Sequence, residues 1–303
     1  MSKIVVVGSI SMDLVMRTKR IPEGGETIFG DSFNIVPGGK GANQAVAIGR
    51  LSSVEDNIYI FGNVGEDIFS ADLLSNLQNN NISIEHVGTV PQSTGVAQIT
   101  LYGGDNRIIY YPGANNLVKT NDWKNEWELI SDASIVVLQN EIPHEANLSI
   151  AKFCQENKVK VLYNPAPARE TDIEMIPFCD FITPNEHECS ELFPDKKLKE
   201  IIKIYPNKMI VTLGVEGSIY YDGTAVQKIP AIKAEVVDTT GAGDTFNGAF
   251  AYAISKGKEM NVALSFATIA SHLSVQRFGA QGGMPSLKEV KEHSGYEEIW
   301  DFK

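Results

Sequence analysis

Asp238-Thr239-Thr240-Gly241-Ala242-Gly243-Asp244-Thr245-Phe246 is the stretch on which the reading of this chain turns. It follows a strand-like run, Ala234–Val237, and opens a helical pattern over Asp244–Ser255 whose Phe246, Phe250 and Ala253 share one face. Small residues at Gly241, Ala242 and Gly243 let successive backbone N–H groups converge at the start of that helix, which makes an anion site that needs no side-chain charge. Asp244 falls in the first turn, beside the positive end of the helix, where a carboxylate stays ionised and can touch whatever the amides hold. Taken alone, the same residues read more readily as a glycine loop with an aspartate that caps a helix.

The strand-turn-helix rhythm recurs through most of the chain. Buried strands are expected at Ile4–Val7, Ile58–Phe61, Ile135–Leu138, Val159–Tyr163, Phe181–Thr183 and Met209–Leu213. Helices are expected at Asn43–Leu51, Ser70–Gln78, His144–Asn157 and Val262–Val275, with a last one opened by the capping box Ser286-x-x-Glu289. Such alternation implies an α/β fold, a doubly wound and mostly parallel sheet flanked by helices. Two segments break the rhythm. Leu14–Val36 and Thr94–Tyr111 alternate like strands around turn residues (Gly24-Gly25, Gly30-Asp31, Gly103-Gly104-Asp105) with no crossover helix between. They read as ribbons that pair into a small sheet, one that is marginal by itself and needs to pack on something, as a lid or a subunit contact would. The expected organisation is one domain over 1–303 with a lid from about 14–36 and 93–112.

Composition narrows the function. Of 303 residues, 26 are Lys or Arg and 38 Asp or Glu, for a formal net charge of −12. That balance argues against general nucleic-acid or anionic-membrane binding, both of which need local excess of Lys and Arg. Cys154, Cys179 and Cys189 form no CxxC pair, which suits a reducing cytoplasm better than a disulfide framework. Met1-Ser2-Lys3 leads directly into Ile4–Val7, too short a start for a signal peptide. HExxH, GxxxxGK[ST] and GxGxxG are all absent, against zinc hydrolase, P-loop and Rossmann dinucleotide mechanisms.

Val237–Phe246 closely resembles the C-terminal signature of the PfkB-type carbohydrate kinases, and Pro37-Gly38-Gly39-Lys40-Gly41-Ala42-Asn43-Gln44-Ala45 resembles their N-terminal one. Asn164-Pro165-Ala166-Pro167-Ala168 and Thr183-Pro184-Asn185-Glu186 lie between them in the order of that family, so the resemblance spans nearly the whole chain. It implies ATP-dependent phosphorylation of a free pentose, with D-ribose phosphorylated at O5 as the leading expectation. Asp244 would then be the base toward the primary hydroxyl, and Gly241, Ala242 and Gly243 the anion hole for the transferring phosphoryl group. A sugar carries no charge to grip, so its pocket needs fixed donors and acceptors. The resemblance assigns these to Ser11, Asp13, Gly39, Lys40, Gly41, Ala42, Asn43 and Glu141. Without it, Asp13 reads as a turn residue, Lys40 as a solvated charge, Asn43 as a helix cap and Glu141 as loop surface.

On the nucleotide side the resemblance points to Asn185, to the strand-end loop Thr212, Leu213, Gly214, Val215, Glu216 and Gly217, and to Thr268. Glu188 would hold Mg²⁺ through water, although Asn185-x-x-Glu188 is also a capping box. A K⁺ activator is implied beside the anion hole, at Asp238 and Thr240 on one side and Ser274, Arg277, Gly279 and Gly283 on the other. A homodimer joined through the lid is implied as well. The chain departs from the family pattern at Ser11, where an asparagine is usual, at Thr268, and at Gly283, where a serine is usual. The first bears on the choice among ribose, 2-deoxyribose and related sugars. The alternatives are a kinase for 2-deoxyribose or another sugar or nucleoside, or a sugar or nucleotide sensor without catalysis.

Overall fold

The computed structural model describes residues 2–302 apart from 104, 121, 122, 124 and 125. In chain order it runs β1 (Lys3–Val7), β2 (Ser11–Arg17), β3 (Ser32–Gly38), α1 (Lys40–Leu51), β4 (Asn57–Gly65), α2 (Ser70–Asn79), β5 (Ile82–Val90), β6 (Gly95–Tyr102) and β7 (Asp105–Tyr111). There follow α3 (Trp127–Ser131), β8 (Ile135–Gln139), α4 (His144–Asn157), β9 (Lys160–Asn164), β10 (Phe181–Ile182), α5 (Glu186–Leu192) and α6 (Leu198–Ile204). The last third holds β11 (Ile210–Thr212), β12 (Ser218–Tyr221), β13 (Val226–Ile229), α7 (Ala242–Ser255), α8 (Met260–Ser274) and α9 (Leu287–Glu292).

Six strands in the order β10-β9-β8-β1-β4-β5 form a wholly parallel sheet. Its central strands β1 and β8 carry unbroken apolar runs, Ile4–Val7 and Ile135–Leu138, because both faces are covered. Ile4, Val6, Ile135 and Val137 face α1, α7 and α8, while Val5, Val7, Val136 and Leu138 face the side packed by α4. From β1 the chain winds first outward through β4 and β5, then to the opposite side through β8, β9 and β10. The crevice beyond the ends of β1 and β8 is therefore a topological switch point, where doubly wound sheets bind ligands.

β2, β3, β6 and β7 form a second, four-stranded sheet in the order β3-β2-β6-β7. β3 and β7 are antiparallel to their neighbours, and the two ribbons join through a parallel β2–β6 pairing. One face carries Ser11, Asp13 and Val15 beside Ala97, Ile99 and Tyr110. The other exposes Met16, Phe33, Ile35, Ile109 and Tyr111. Of the expected Gly103-Gly104-Asp105 turn, Gly104 lies outside the described residues.

Two expectations need correction. Ala234–Val237 is not a strand: the segment has no ladder partner, Val236 and Val237 are exposed, and the N–H of Val237 donates instead to the Val275 carbonyl at 2.8 Å, past the end of α8. Met209–Leu213 does not extend the main ladder. It shortens to β11 in an antiparallel three-stranded sheet, joined to the main one, among the described residues, by bridges at Ile182–Met209 and Asn185–Thr212.

Candidate functional site

α7 is entered from its cap residue Gly241, whose φ of 76° turns the chain into the helix, and no side chain caps it. A Cβ on Gly241 would stand 2.7 Å from the Cα of Ala280, so glycine is what lets the 275–284 loop lie against this turn. The N–H of Ala242 donates to the Thr239 carbonyl at 3.2 Å. Those of Gly241, Gly243 and Asp244 have no partner among the described residues, and the space over Gly243 is open. The free donors at this helix start are thus the amides flanking Ala242, at the positive end of a 14-residue helix.

Asp244 is buried, and both of its oxygens are held. Asn43 Nδ2 donates to one at 2.9 Å and Gln44 Nε2 to the other at 3.0 Å. Each donor is fixed in turn. Gln281 Nε2 donates to Asn43 Oδ1 at 2.9 Å, and Gln139 Nε2 donates to Gln44 Oε1 at 2.8 Å. These contacts orient both amides so that N–H faces the carboxylate, which fixes its position and leaves its remaining lone pairs for a hydroxyl.

Asp13 and Glu141 face this aspartate across the crevice. Glu141 follows β8 and accepts from Ser9 Oγ at 2.6 Å and from the Lys40 backbone N–H at 2.9 Å. The loop carrying it is pinned from behind: Asn140 Nδ2 donates to the buried Asp172 at 2.6 Å, and the Arg169 guanidinium donates to the carbonyls of Asn140 and Ile142. Asp13 lies over Gly38, where a Cβ would come 2.2 Å from its carboxylate oxygen. Burial, then the charges of Glu141 and Asp244, push the Asp13 carboxyl up to about 7, partly offset by Lys40. Burial opposes the Lys40 ammonium, yet Asp244, Glu141, Glu188 and Asp13 outweigh it and raise its pKa. One cation thus shares the crevice with four carboxylates, the five groups coming from five separate elements and loops.

Gly39 and Gly41 let the chain bearing Lys40 and Asn43 approach β1. Gly39 has φ 88°, and a Cβ on Gly41 would stand 2.5 Å from the backbone of Gly8 and Ser9. Gly39, not Asn43, occupies the cap position of α1, and Ala42 is buried. Asn185 and Glu188 do form the capping box, each side chain bonding the other's N–H at 2.8 Å. Only one Glu188 oxygen is used by the cap, and burial raises this carboxyl. Thr212 ends β11, and Leu213, Gly214, Val215, Glu216 and Gly217 form a tight turn with Val215 fully exposed and Glu216 paired to Lys228 at 3.0 Å. The Thr268 hydroxyl donates to the Leu264 carbonyl of its own helix at 2.8 Å.

Asp238 bridges two loops, accepting from the N–H of Thr240 and of Gly279, both at 2.9 Å. Gly283 abuts the Ser274 carbonyl so closely that a Cβ would stand 2.1 Å from its oxygen, which explains why a serine does not fit here. The Arg277 side chain turns away to Glu289 at 2.5 Å, so only backbone oxygen of Arg277 is left to face this place. The side-chain donor at this place, the Asp238 carboxylate, is a hard oxygen ligand of the kind an alkali cation takes, while the carbonyls of Ser274 and Gly279 accept from the N–H of Arg277 and Gly283.

Several site residues carry no recognisable signal in sequence. Ser9, Gln44, Tyr110, Asn115, Gln139 and Gln281 lie in the crevice wall only because the fold brings them there. Of these, Gln44 stands inside the Pro37–Ala45 motif and Gln139 leads into Glu141 in Gln139-Asn140-Glu141.

A family model described as pfkB family carbohydrate kinase matches residues 1–287. The ribokinase of Lactococcus lactis is 62% identical over 291 residues, 96% of each chain, and that of Bacillus subtilis 44% identical over 293 residues, 96% of this chain and 99% of its own. Among solved structures, an Arabidopsis thaliana ribokinase complexed with ribose and ATP superimposes with a TM-score of 0.85 at 32% identity, covering all of both chains.

Proposed function

The chain belongs to the pfkB family of carbohydrate kinases, and on that premise we propose that it transfers the γ-phosphoryl group of ATP to O5 of D-ribose. The observation that carries this reading is the placement of Asp244, clamped by Asn43 and Gln44 beside free helix-start amides and facing Asp13, Lys40 and Glu141. The identity to ribokinases of two bacteria supports ribose as the sugar.

Asp13 and Glu141 accept from the sugar's hydroxyls, and Lys40 and Asn43 donate to them. O5 is directed at Asp244, whose fixed carboxylate orients the nucleophile. A sugar hydroxyl is a very weak acid, so Asp244 takes its proton late, as the bond to phosphorus forms. The amides of Gly241 and Gly243, with that of Asp244, stabilise charge on the phosphoryl oxygens. Positioning of this kind supplies most of the acceleration. Asn185 and the 212–217 turn line the nucleotide side, and Thr268 lies behind it.

Glu188 is the residue to hold Mg²⁺ through water, by the oxygen its cap leaves free. When bound with ATP, that ion neutralises phosphate charge. Asp238 and the carbonyls of Thr240, Ser274, Arg277, Gly279 and Gly283 are the residues to hold K⁺, which would keep the two loops around the anion hole in order. The four-stranded sheet acts as a lid, and its exposed row of Met16, Phe33, Ile35, Ile109 and Tyr111 suits the same row on a second copy. Three free, buried cysteines whose thiols burial raises suit a cytoplasmic protein.

Initial rates on ribose, 2-deoxyribose, fructose, adenosine and pseudouridine with Mg-ATP test the reading. Ribose is expected to give the highest kcat/KM. A higher value for another member of the panel reassigns the substrate, and turnover of none of them favours a sensor.

A further inference from the structure

Asn115 is fully buried, and its side chain is oriented without ambiguity because Oδ1 accepts from the N–H of Ile10 at 2.9 Å. Its Nδ2 then has two protons for three oxygens: the Ile10 carbonyl at 3.1 Å, Ser11 Oγ at 3.0 Å and the Tyr110 hydroxyl at 3.0 Å. Ser11 Oγ and the Tyr110 oxygen are 3.4 Å apart. Both hydroxyls therefore compete for one amide proton, and at most one of them donates to the other. Among the described residues no other protein acceptor bonds either hydroxyl: Glu141 takes Ser9 and the Lys40 N–H on one oxygen, and neither hydroxyl bonds Glu141 or Asp13. One hydroxyl proton of the pair is left to point into the crevice.

The phenol is the stronger acid of the two and hence the better donor. Burial and the nearby Glu141 raise its pKa, so it keeps its proton throughout the working range. Tyr110 lies directly opposite Ala97, which lies directly opposite Asp13, so it shares the inner face of the four-stranded sheet with Asp13. The space that lets the three side chains meet is kept by Gly95, where a Cβ would stand 2.3 Å from Asn115 Nδ2 and 2.6 Å from Ser11 Oγ.

We propose that Tyr110 is a specificity-determining residue of the sugar site, its hydroxyl donating to the C2 or C3 hydroxyl of the pentose while Ser11 and Asn115 hold it in place. This rests on the pentose-kinase reading above. It also gives Ser11 a role: a small side chain here makes room for a hydroxyl delivered from β7.

The test is Tyr110→Phe in the full chain, assayed against the parent protein with ribose, 2-deoxyribose and 3-deoxyribose at saturating Mg-ATP. KM for ribose is expected to rise about 10-fold, with kcat and KM for ATP within about twofold, the size expected for one lost hydrogen bond. For one of the two deoxy sugars, the one lacking the contacted hydroxyl, the substitution is expected to change nothing. Ser11→Ala is expected to penalise the same sugars, more weakly. An equal loss with all three sugars, or no loss with ribose, overturns the proposal. Failure of the parent protein itself to phosphorylate ribose overturns the pentose-kinase reading and this proposal with it, a result visible before any variant is compared.

Discussion

Asn43 Nδ2 and Asp244 Oδ2, 201 residues apart in the chain, are joined at 2.9 Å. That bond ties the start of α1 to the start of α7, and the second oxygen of Asp244 is tied to Gln44, the next residue of α1. Two adjacent amides on one helix thus hold the carboxylate of another at both ends. Asp244→Asn retains one acceptor and turns an NH₂ toward an amide that cannot rotate, because Gln281 fixes Asn43 and Gln139 fixes Gln44. A loss in kcat of about 10²-fold or more is expected for a removed positioned base. Steady-state rates with saturating sugar and ATP measure it, and undiminished turnover would remove Asp244 from the chemistry.

Gln44 is buried and gives its N–H groups to Asp244 and Asn164. Gln44→Met preserves volume but leaves Gln139 Nε2 and Asn164 Oδ1 short of a partner. The expected cost is about 1–3 kcal/mol of stability, read by urea unfolding. Because one oxygen of Asp244 is released, kcat should fall by about tenfold while KM for ATP stays constant. A parallel rise in KM for ATP would place Gln44 in nucleotide binding instead.

Asp13 carries a pH dependence whose sign is fixed by its raised pKa of about 7. The folded state binds this proton more tightly than the unfolded chain does. The ionised carboxylate therefore costs stability, fully above about pH 7, and the cost fades as pH falls toward the ordinary aspartate value of 3.8. Sugar binding runs the other way, since an ionised Asp13 is the better acceptor. KM for ribose is expected to drop as pH rises from about 6 to 8. Glu141→Gln removes a neighbouring negative charge and should move that midpoint toward acid. A pH-independent KM in the parent protein would contradict the assignment.

The architecture was legible in the chain because a parallel sheet covered on both faces writes itself as short, wholly apolar runs, and Ile4–Val7 and Ile135–Leu138 are such runs. Ala234–Val237 misled for the same reason. Its apolar residues pass over a helix end rather than join a ladder, and composition cannot tell those two apart. Local signals also mark the backbone of the candidate site, as in Gly39, Gly41 and Gly241, where a positive φ or a close approach requires glycine. Tyr110, Asn115, Gln139 and Gln281 were illegible even where singled-out residues stand close by, as Glu141 does to Gln139 and Gly279 and Gly283 do to Gln281. Their placement comes from side chains that meet across separate elements, as Tyr110 on β7 and Asn115 beyond it meet Ser11 on β2.

Asp238→Asn tests the cation proposal. Its two oxygens each accept an N–H, from Thr240 and from Gly279. Asparagine can accept only one and repels the other, so the loops on either side of the anion hole part. The K⁺ concentration for half-activation is expected to rise about tenfold, and KM for ATP with it. Rates in KCl against an equal concentration of choline chloride measure both. Equal activity of the parent protein in the two salts would remove the K⁺ site.

Two glycine substitutions separate packing from phosphate contact. In Gly41→Ala the new methyl would meet the backbone of Gly8 and Ser9 at 2.5 Å, with no rotamer to escape into. The start of α1 must lift off β1, which moves Lys40 and Asn43 together. A loss of about 1–3 kcal/mol follows, or about 2–5 °C in Tm, with KM for the sugar raised and kcat lowered because Asn43 no longer holds Asp244. In Gly243→Ala the methyl meets nothing within 4 Å, and alanine is the better helix former, so Tm should hold or rise. The methyl does stand beside the free amides where phosphate oxygen must approach, and kcat/KM for ATP is expected to fall about tenfold or more. Thermal melts and ATP titrations of the two variants should therefore give opposite signatures. A Gly243→Ala protein with normal ATP kinetics would mean that phosphate is held elsewhere than at the start of α7.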